Sequence, residues 1–72
     1  MNRFESMSAF VAVVESGGFS AASRRLGMPL TTVSRKVSEL ENALRVRLLN
    51  RTTRRVNLTE SGRHFFESCR RI

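Results

Sequence analysis

Arginine side chains are the chemically most distinctive feature of this 72-residue sequence. Twelve of its 13 basic residues are Arg, only Lys36 is Lys, and the six acids leave a formal net charge of +7. A guanidinium group is a planar fork that matches the oxygens of a phosphate and the edge of a guanine, whereas the Lys ammonium group is a point charge. This balance indicates a polyanionic partner, and so basic a domain is typical of nucleic-acid binding.

The densest part of this charge lies between Arg45 and Arg55, a segment with five arginines and no acid. A charged run is most often a solvated surface, but residues 46–58 also show the period-two alternation of half-buried strands. The apolar positions of that alternation are Val46, Leu48, Val56 and Leu58. We therefore predict a β-hairpin, a wing, whose Arg51, Arg54 and Arg55 lie along a phosphate backbone or enter a minor groove and supply salt-dependent affinity.

A second candidate surface lies on a helix predicted over residues 30–44. Its apolar side chains recur at helical spacing and form one buried stripe, which comprises Val33, Val37, Leu40 and Leu44. The opposite face presents only hydroxyls and one guanidinium, namely Thr31, Ser34, Arg35 and Ser38. The acids Glu39 and Glu41 follow in the later turns. A helix fits the major groove of B-DNA, where Arg35 is the best candidate for a guanine or, failing that, a phosphate; a single Ser or Thr is as often an ordinary solvated residue.

The elements that position these surfaces can be placed from periodicity and turn residues. Apolar residues at helical spacing predict a first helix over residues 4–15, which the glycine-containing segment 16–18 ends. Ser20 is the predicted N-cap of a short second helix that ends at Leu26, and a turn over residues 27–29 follows it. Two helices joined by a tight turn, the second with a polar face, are typical of a helix-turn-helix.

Four motifs closely resemble the N-terminal domain of LysR-type transcriptional regulators. They are FSAAS at 19–23 with Leu26, TVSRKV at 32–37 with Leu40 and Glu41, LLNRTTR at 48–54, and LTESG at 58–62. The resemblance implies a mostly α fold, a winged helix-turn-helix with a three-helix core, a short β-hairpin wing and the start of a C-terminal linker helix. It also implies a DNA-binding domain at residues 1–59 and a linker helix over 60–72 that leads to an absent ligand-sensing domain.

The same resemblance implies DNA contacts for particular residues. The positions that match family contacts are Leu30, Thr31, Ser34 and Arg35 on the recognition helix and Arg54 in the wing. Arg51 matches a family arginine near the wing, for which the resemblance implies a role in positioning the DNA backbone. With neighbouring motif positions included, the predicted DNA-binding set is Ser20, Leu30, Thr31, Thr32, Ser34, Arg35, Lys36, Arg51, Arg54 and Arg55.

Two residues depart from the family pattern. Arg45 stands where many members have Gly, so it must take a strained positive φ or alter the exit from the recognition helix. Leu30 stands near a position where many members carry Gln, and it offers only an apolar contact, for instance to a thymine methyl group.

By the same resemblance the last helix pairs two subunits. Thr59 is its predicted N-cap, with Glu60 favourably placed in its first turn. Its apolar stripe, the predicted dimer contact, consists of Phe65, Phe66, Cys69 and Ile72. Alternatively some of these side chains pack on the domain's own core, and for Phe65 the two alternatives weigh equally.

The resemblance also implies the partners of the chain. They are a partly palindromic promoter site in duplex DNA and a second copy of the chain, with a tetramer in a full-length protein and a small-molecule effector bound by the absent domain. The implied location is the bacterial cytoplasm, at the nucleoid.

Other functional classes fit the sequence less well. His64 and Cys69 are each the only residue of their type, and a spacing of five places them about 140° apart on a helix. No paired carboxylates, metal-ligand spacing or phosphate loop accompany them, so we predict no enzyme, no cofactor and no metal. The longest apolar run is far shorter than the roughly 18–20 residues of a membrane span. A general RNA-binding module remains the alternative, although such modules stack bases on exposed aromatics and this chain has no Trp or Tyr.

Overall fold

The computed structural model describes residues 2–51 and 56–71 of the chain. In that part, four helices and two strands follow in the order α1 (Arg3–Ser16), α2 (Phe19–Leu26), α3 (Leu30–Leu44), β1 (Leu49–Arg51), β2 (Val56–Leu58) and α4 (Glu60–Arg70). The strands pair antiparallel, with Leu49 opposite Leu58 and Arg51 opposite Val56. This architecture confirms the predicted winged helix-turn-helix, with its three-helix core, short hairpin and last helix.

Two glycines separate the first two helices and have different tasks. α1 is capped at its start by Asn2, whose Oδ1 accepts a hydrogen bond from a first-turn amide at 3.1 Å. Gly17 ends α1 at φ +88°, a conformation that other residues rarely adopt. Gly18 then starts α2, since its carbonyl accepts the first helical bond from Ala22 at 3.1 Å. The predicted N-cap at Ser20 is therefore wrong: Ser20 is already the second residue of the helix, and it is exposed.

The turn between α2 and α3 is short and closed by hydrogen bonds. Gly27 ends α2 at φ +68°, and its amide donates to the carbonyl of Ser23 at 2.9 Å. The Ser23 hydroxyl donates in turn to the carbonyl of Met28. Pro29 precedes α3, and its carbonyl accepts from the amide of Val33 at 3.1 Å. These bonds set α3 against α2 and confirm both the predicted turn and the predicted bounds of α3.

The core is built from side chains of α1, α2, α3 and the segment that follows α3. Its largest fully buried apolar residues are Phe10, Val13, Val33, Val37, Leu40, Leu48 and Leu49. Each such side chain contributes roughly 1.5–3 kcal/mol relative to an exposed position. The stripe predicted for α3 is confirmed for its first three members, whereas Leu44 at the end of the helix is half-buried. Burial of this side leaves the opposite face of α3 toward solvent.

The chain enters the hairpin differently from the predicted alternation. Arg45 ends α3 at φ +57°, which is the strained one of the two predicted possibilities. Beyond this turn Val46 is 36% exposed, while Leu48 and Leu49 are both fully buried. The alternation predicted from Val46 is therefore wrong before Leu49, where the strand begins. The reason is that the segment passes between α3 and α4, which contact it from two sides.

The start of α4 is attached both to the hairpin and to the core. Thr59 caps it as predicted: its Oγ1 accepts from a first-turn amide at 2.8 Å and donates to the carbonyl of Arg47 at 2.6 Å. The rings of Phe65 and Phe66 lie 5.8 and 6.4 Å from the ring of Phe10, between centroids. Both rings are thus half-buried on the domain's own core, which is one of the two alternatives left open above.

Candidate nucleic-acid interface

The exposed face of α3 opens onto a groove that it shares with α2, the hairpin and the end of α1. The groove is lined by residues from α2, from the first half of α3 and from the hairpin, among them Ser20, Arg24, Leu30, Thr31, Ser34, Arg51 and Val56. It is open to solvent and has a volume of about 700 Å³, and the described residues that line it include no acid. Five members of the predicted DNA-binding set therefore lie around one concave surface: Ser20, Leu30, Thr31, Ser34 and Arg51.

The first turns of α3 present small polar side chains beside one large apolar one. Because Val33 and Val37 are fully buried, the residues on the other side of the helix point away from the core. Leu30 is 47% exposed, and Thr31 is exposed beside it. Hydroxyl groups can exchange hydrogen bonds with base edges, and an exposed apolar side chain can contact a methyl group.

Arg35 extends from α3 with most of its side chain in solvent. It is 61% exposed, and its Nη1 lies 3.3 Å from a carboxylate oxygen of Glu39, one turn further along the helix. An exposed pair at this spacing contributes only about 0.3–0.5 kcal/mol, because water screens it. A phosphate or a guanine can therefore replace Glu39 as the partner of Arg35 at little cost.

Two other members of the predicted set lie elsewhere on α3. The Nζ of Lys36 lies 2.9 Å from Oε1 of Glu5 on α1, and the Lys36 side chain is only 15% exposed. Thr32 is half-buried. Neither residue is among the described residues that line the groove, and Arg35 is not among them either. The structure thus gives Lys36 a role in joining α1 to α3, and DNA contacts by Thr32 and Lys36 stay predictions.

Arg51 is held between the two helices of the helix-turn-helix. Its Nη2 lies 3.6 Å from Oε1 of Glu41 on α3, and its guanidinium carbon lies 4.8 Å from the ring centroid of Phe19 on α2. A guanidinium over an aromatic face is attracted by the ring quadrupole. This geometry attaches Arg51 to both helices, and the role in positioning the DNA backbone that is expected for Arg51 stays a prediction. Arg54 and Arg55 lie outside the described residues, so their contacts stay predictions.

Glu41 has buried contacts that were not predicted from the sequence, where it stands as an acid in the later turns of α3 and as part of a family motif. The residue is 8% exposed, and its Oε2 accepts hydrogen bonds from the amides of Leu48 at 2.9 Å and Leu49 at 3.1 Å. A signal was present: Glu41 lies four residues after Val37 and beside Leu40, on the buried stripe. A carboxylate at such a position must find hydrogen-bond donors.

Arg24 is a second residue that was missed. It follows Ser20 by one helical turn on α2, and it is exposed and lines the same groove. Its neighbour Arg25 is instead bound to Glu15 of α1 at 3.0 Å. The spacing from Ser20 could have identified Arg24, because residues four apart share one face of a helix.

Other chemistry finds little support in the described part of the chain. Residues 2–51 and 56–71 contain no group of three His, Cys, Asp or Glu that could hold a metal ion. None of the described helices is long and apolar enough to cross a membrane.

Burial raises the pKa of the Cys69 thiol, because desolvation disfavours the thiolate. Cys69 is half-buried beside Met7 and Val11 of α1, and Ile72 lies outside the described residues.

Comparison with known proteins gives matches over nearly the whole chain. The HTH-type transcriptional activator AaeR of Escherichia coli K12 is 50% identical over 72 residues, which is all of this chain and 23% of that relative. An HTH-type transcriptional regulator of Xanthomonas campestris pv. campestris is 62% identical over 63 residues, which is 88% of this chain and 18% of the relative. The chain therefore spans less than a quarter of the length of either relative.

Solved structures agree with these sequence relatives. The crystal structure of the BenM_DBD/catB site 1 DNA complex superimposes with a TM-score of 0.91 at 32% identity, covering 99% of this chain and 78% of that one. The relatives named above are transcriptional regulators and not enzymes. Residues 4–63 match the family described as bacterial regulatory helix-turn-helix proteins, lysR family. This chain therefore belongs to the lysR family of bacterial regulatory helix-turn-helix proteins.

Proposed function

We propose that this chain binds double-stranded DNA in a sequence-specific manner, as the DNA-binding part of a transcriptional regulator. The observation that carries the proposal is the open groove, in which α2, the first half of α3 and the hairpin meet without an acid among the described lining residues. The relatives are named as transcriptional regulators, and the BenM structure is described as a complex with DNA. Both findings support the proposal.

In the proposed complex α3 lies in the major groove with its first turns against the bases. Thr31 and Ser34 exchange hydrogen bonds with base edges or phosphate oxygens, and Arg35 leaves Glu39 for a guanine edge or a phosphate. Leu30 contributes an apolar contact to a thymine methyl group. Pro29 precedes α3 without a side-chain hydrogen bond to its first amides in the described structure, and free amides at a helix start favour a nearby phosphate.

The arginines around this helix supply affinity that does not depend on sequence. Arg24 on α2 lines the groove, and Arg54 and Arg55 are proposed to contact the backbone or minor groove beside it. Each phosphate that such a residue neutralises releases condensed counterions, so the affinity falls steeply as salt increases. These contacts orient α3, while α3 selects the sequence.

We also propose that two copies of the chain bind one partly palindromic site. Residues 1–59 are assigned to the DNA-binding unit and residues 60–72 to the start of a linker helix. Because Phe65 and Phe66 already pack on Phe10, the proposed contact with a second copy rests mainly on Cys69 and Ile72. The relatives are more than four times as long as this chain, so an effector-binding domain and a tetramer are proposals for the full-length protein.

The experiment that tests this proposal is a selection from a pool of random duplexes, followed by fluorescence anisotropy on the enriched site. We expect a reproducible consensus, called the selected duplex below, and tighter binding to it than to random duplex at about physiological salt. Single-stranded and double-stranded RNA of the same sequence are the controls. Equal affinity for single-stranded RNA, or no duplex preference, would overturn the proposal and favour the general RNA-binding alternative.

A further inference from the structure

A partly buried polar cluster lies where the hairpin begins beside α2 and α3. We call it the wing anchor; it consists of the side chains of Glu41, Arg51 and Phe19 with the amides of Leu48 and Leu49. We propose that Glu41 is a positioning residue for DNA binding, which holds Arg51 and the hairpin in register with α3. The inference rests on the proposed function and adds to it the residue that sets the geometry of the interface.

The two oxygens of the Glu41 carboxylate have separate tasks. Oε2 accepts from the amides of Leu48 at 2.9 Å and Leu49 at 3.1 Å, so it fixes the first residue of β1 to α3. Oε1 lies 3.6 Å from Nη2 of Arg51. That distance is too long for a good hydrogen bond, so the interaction with Arg51 is an ion pair between charges that are 9% and 28% exposed.

Arg51 is fixed by three elements but is not enclosed. It belongs to β1, its charge faces Glu41 of α3, and its guanidinium lies over Phe19 of α2. A guanidinium carries five N–H donors, and Arg51 also lines the groove beside α3. The same side chain can therefore remain anchored and donate to a DNA phosphate.

The anchor lies immediately before the part of the hairpin that carries its remaining arginines. Arg51 pairs with Val56 in the strand ladder, and Arg54 and Arg55 follow it in sequence between these two residues. The two described ends of this segment, Arg51 and Val56, are thus attached to α3 through their pairing and through Glu41. Loss of the anchor therefore releases the described part of the hairpin from the recognition helix.

Replacement of Glu41 by Gln distinguishes the proposed role of Glu41 in positioning Arg51 from its role in folding. The amide oxygen of Gln can still accept from the amides of Leu48 and Leu49, while its NH₂ group then faces Arg51 and the ion pair is lost. Removal of a negative charge from a DNA-binding protein ordinarily strengthens binding, because phosphate repulsion falls. The inference predicts the opposite result for Glu41→Gln, and this difference in sign makes the test decisive.

The experiment measures the affinity of the 72-residue chain for the selected duplex, its salt dependence and its thermal midpoint. We expect Glu41→Gln to weaken binding by about 5- to 30-fold, because Arg51 loses its ion pair and with it its fixed place over Phe19. The thermal midpoint should fall by only about 4–8 °C, since the Gln oxygen still accepts from the amides of Leu48 and Leu49. Glu67→Gln is the matched control, since Glu67 forms an exposed pair with Arg63 at 3.8 Å; it should bind equally or more tightly. Glu41→Gln binding as tightly as Glu67→Gln would overturn the inference.

Two further variants extend the test, and the first of them does not depend on whether Glu41→Gln folds. Arg51→Lys retains the charge and every bond of Glu41 to the backbone, but it loses the planar fork over Phe19; we expect weaker binding, and unchanged affinity would overturn the inference. The double variant of Glu41→Gln and Arg51→Gln should bind no more weakly than Arg51→Gln alone, because both changes break one interaction. If the unsubstituted chain shows no duplex preference, the proposed function fails; if only these differences are missing, the inference alone fails.

Discussion

Two Arg–Glu ion pairs of α3 differ in their exposure to solvent. In the first half, Arg35 faces Glu39 at 3.3 Å with side chains that are 61% and 37% exposed. In the second half, Glu41 faces Arg51 at the longer distance of 3.6 Å, but the two side chains are only 9% and 28% exposed. Burial and not distance decides which pair matters for structure, since water screens the first pair far more strongly.

One helix can therefore carry a surface for DNA at one end and an attachment to the hairpin at the other. The recognition face of α3, formed by Leu30, Thr31, Ser34 and Arg35, keeps side chains that can exchange partners when DNA arrives. The wing anchor uses side chains whose partners come from other elements of the fold. In the proposed complex, specificity comes from side chains whose present partners are easily exchanged, and orientation comes from side chains that rearrange only at a larger cost.

The largest expected effect is on stability, and it comes from disrupting the packing of Gly62 of α4 against Leu48 of the wing anchor. A Cβ on Gly62 would lie 2.0 Å from the carbonyl oxygen of Leu48 and 2.8 Å from its carbonyl carbon. We expect Gly62→Ala to lower the free energy of unfolding by about 3 kcal/mol, although Ala is the better helix former. Thermal unfolding followed by circular dichroism should show a midpoint lower by roughly 10–20 °C.

Gly18→Ala is the control for this change. A Cβ on Gly18 meets no atom within 4 Å, so the expected loss is only about 0.5–1 kcal/mol, since Ala caps a helix less well than Gly. A Gly62→Ala chain as stable as the Gly18→Ala chain would contradict the close packing of α4 against Leu48.

The recognition face should respond in binding and not in stability. We expect Arg35→Ala to flatten the preference for the selected duplex over random duplex, at a cost of about 1–3 kcal/mol if Arg35 pairs with a base. Its thermal midpoint should stay near that of the unsubstituted chain. Anisotropy titrations on both duplexes give the measurement.

Arg54→Ala and Arg63→Ala sharpen this prediction. If Arg54 contacts only phosphate, its loss should weaken binding to all duplexes alike and reduce the salt slope by about one. Arg63 is an exposed residue of α4, and its loss removes the same charge away from the groove. An unchanged sequence preference in Arg35→Ala would place specificity elsewhere.

The turn that ends α3 carries backbone strain that Gly would relieve. Arg45 has φ +57°, in a region that costs a side chain roughly 1–2 kcal/mol. Part of the gain from Arg45→Gly is offset by the greater freedom of Gly in the unfolded chain, so we expect a net stabilisation of about 0.5–1 kcal/mol. Arg47→Gly, which removes the same charge without relieving a positive φ, should be destabilising. Chemical denaturation of both variants distinguishes them; equal loss in both would argue against strain at Arg45.

The smallest expected effect concerns Leu30. Replacement of a contacted thymine by uracil in the selected duplex removes one methyl group from the major groove, and burial of such a group is worth up to about 0.8 kcal/mol. We expect the unsubstituted chain to bind the uracil duplex up to about fourfold more weakly. The Leu30→Ala chain should bind both duplexes equally, and an equal response in the two chains would show that Leu30 does not contact a thymine methyl group.

The helices could be predicted from sequence because their signals are local. The bounds of α3 follow from the turn that precedes Leu30 and from the apolar stripe that ends at Leu44. The cap at Thr59 was equally predictable, since the interacting groups lie within one helical turn. The start of α2 was misplaced by two residues because Gly18, and not the better capping residue Ser20, supplies the extended backbone before the helix.

The wing anchor could not be predicted in the same way. The partners of Glu41 are amides seven and eight residues further along the chain, and they reach it only because Arg45 reverses the chain at a positive φ. For the same reason Leu48 and Leu49 are both buried, which breaks any period-two pattern. The exposed surface was more accessible to prediction, because the composition of one face of α3 needs no tertiary information.

Methylation interference on the selected duplex tests most directly whether α3 lies in the major groove. Dimethyl sulfate modifies guanine at N7, in the major groove, and adenine at N3, in the minor groove, so one experiment reports on both grooves. We expect that methylation of guanine N7 within the selected site blocks binding, and that Arg35→Ala reduces the sensitivity at one guanine in each half-site. Binding that tolerates N7 methylation throughout the site, with interference only at adenine N3, would contradict a major-groove position of α3.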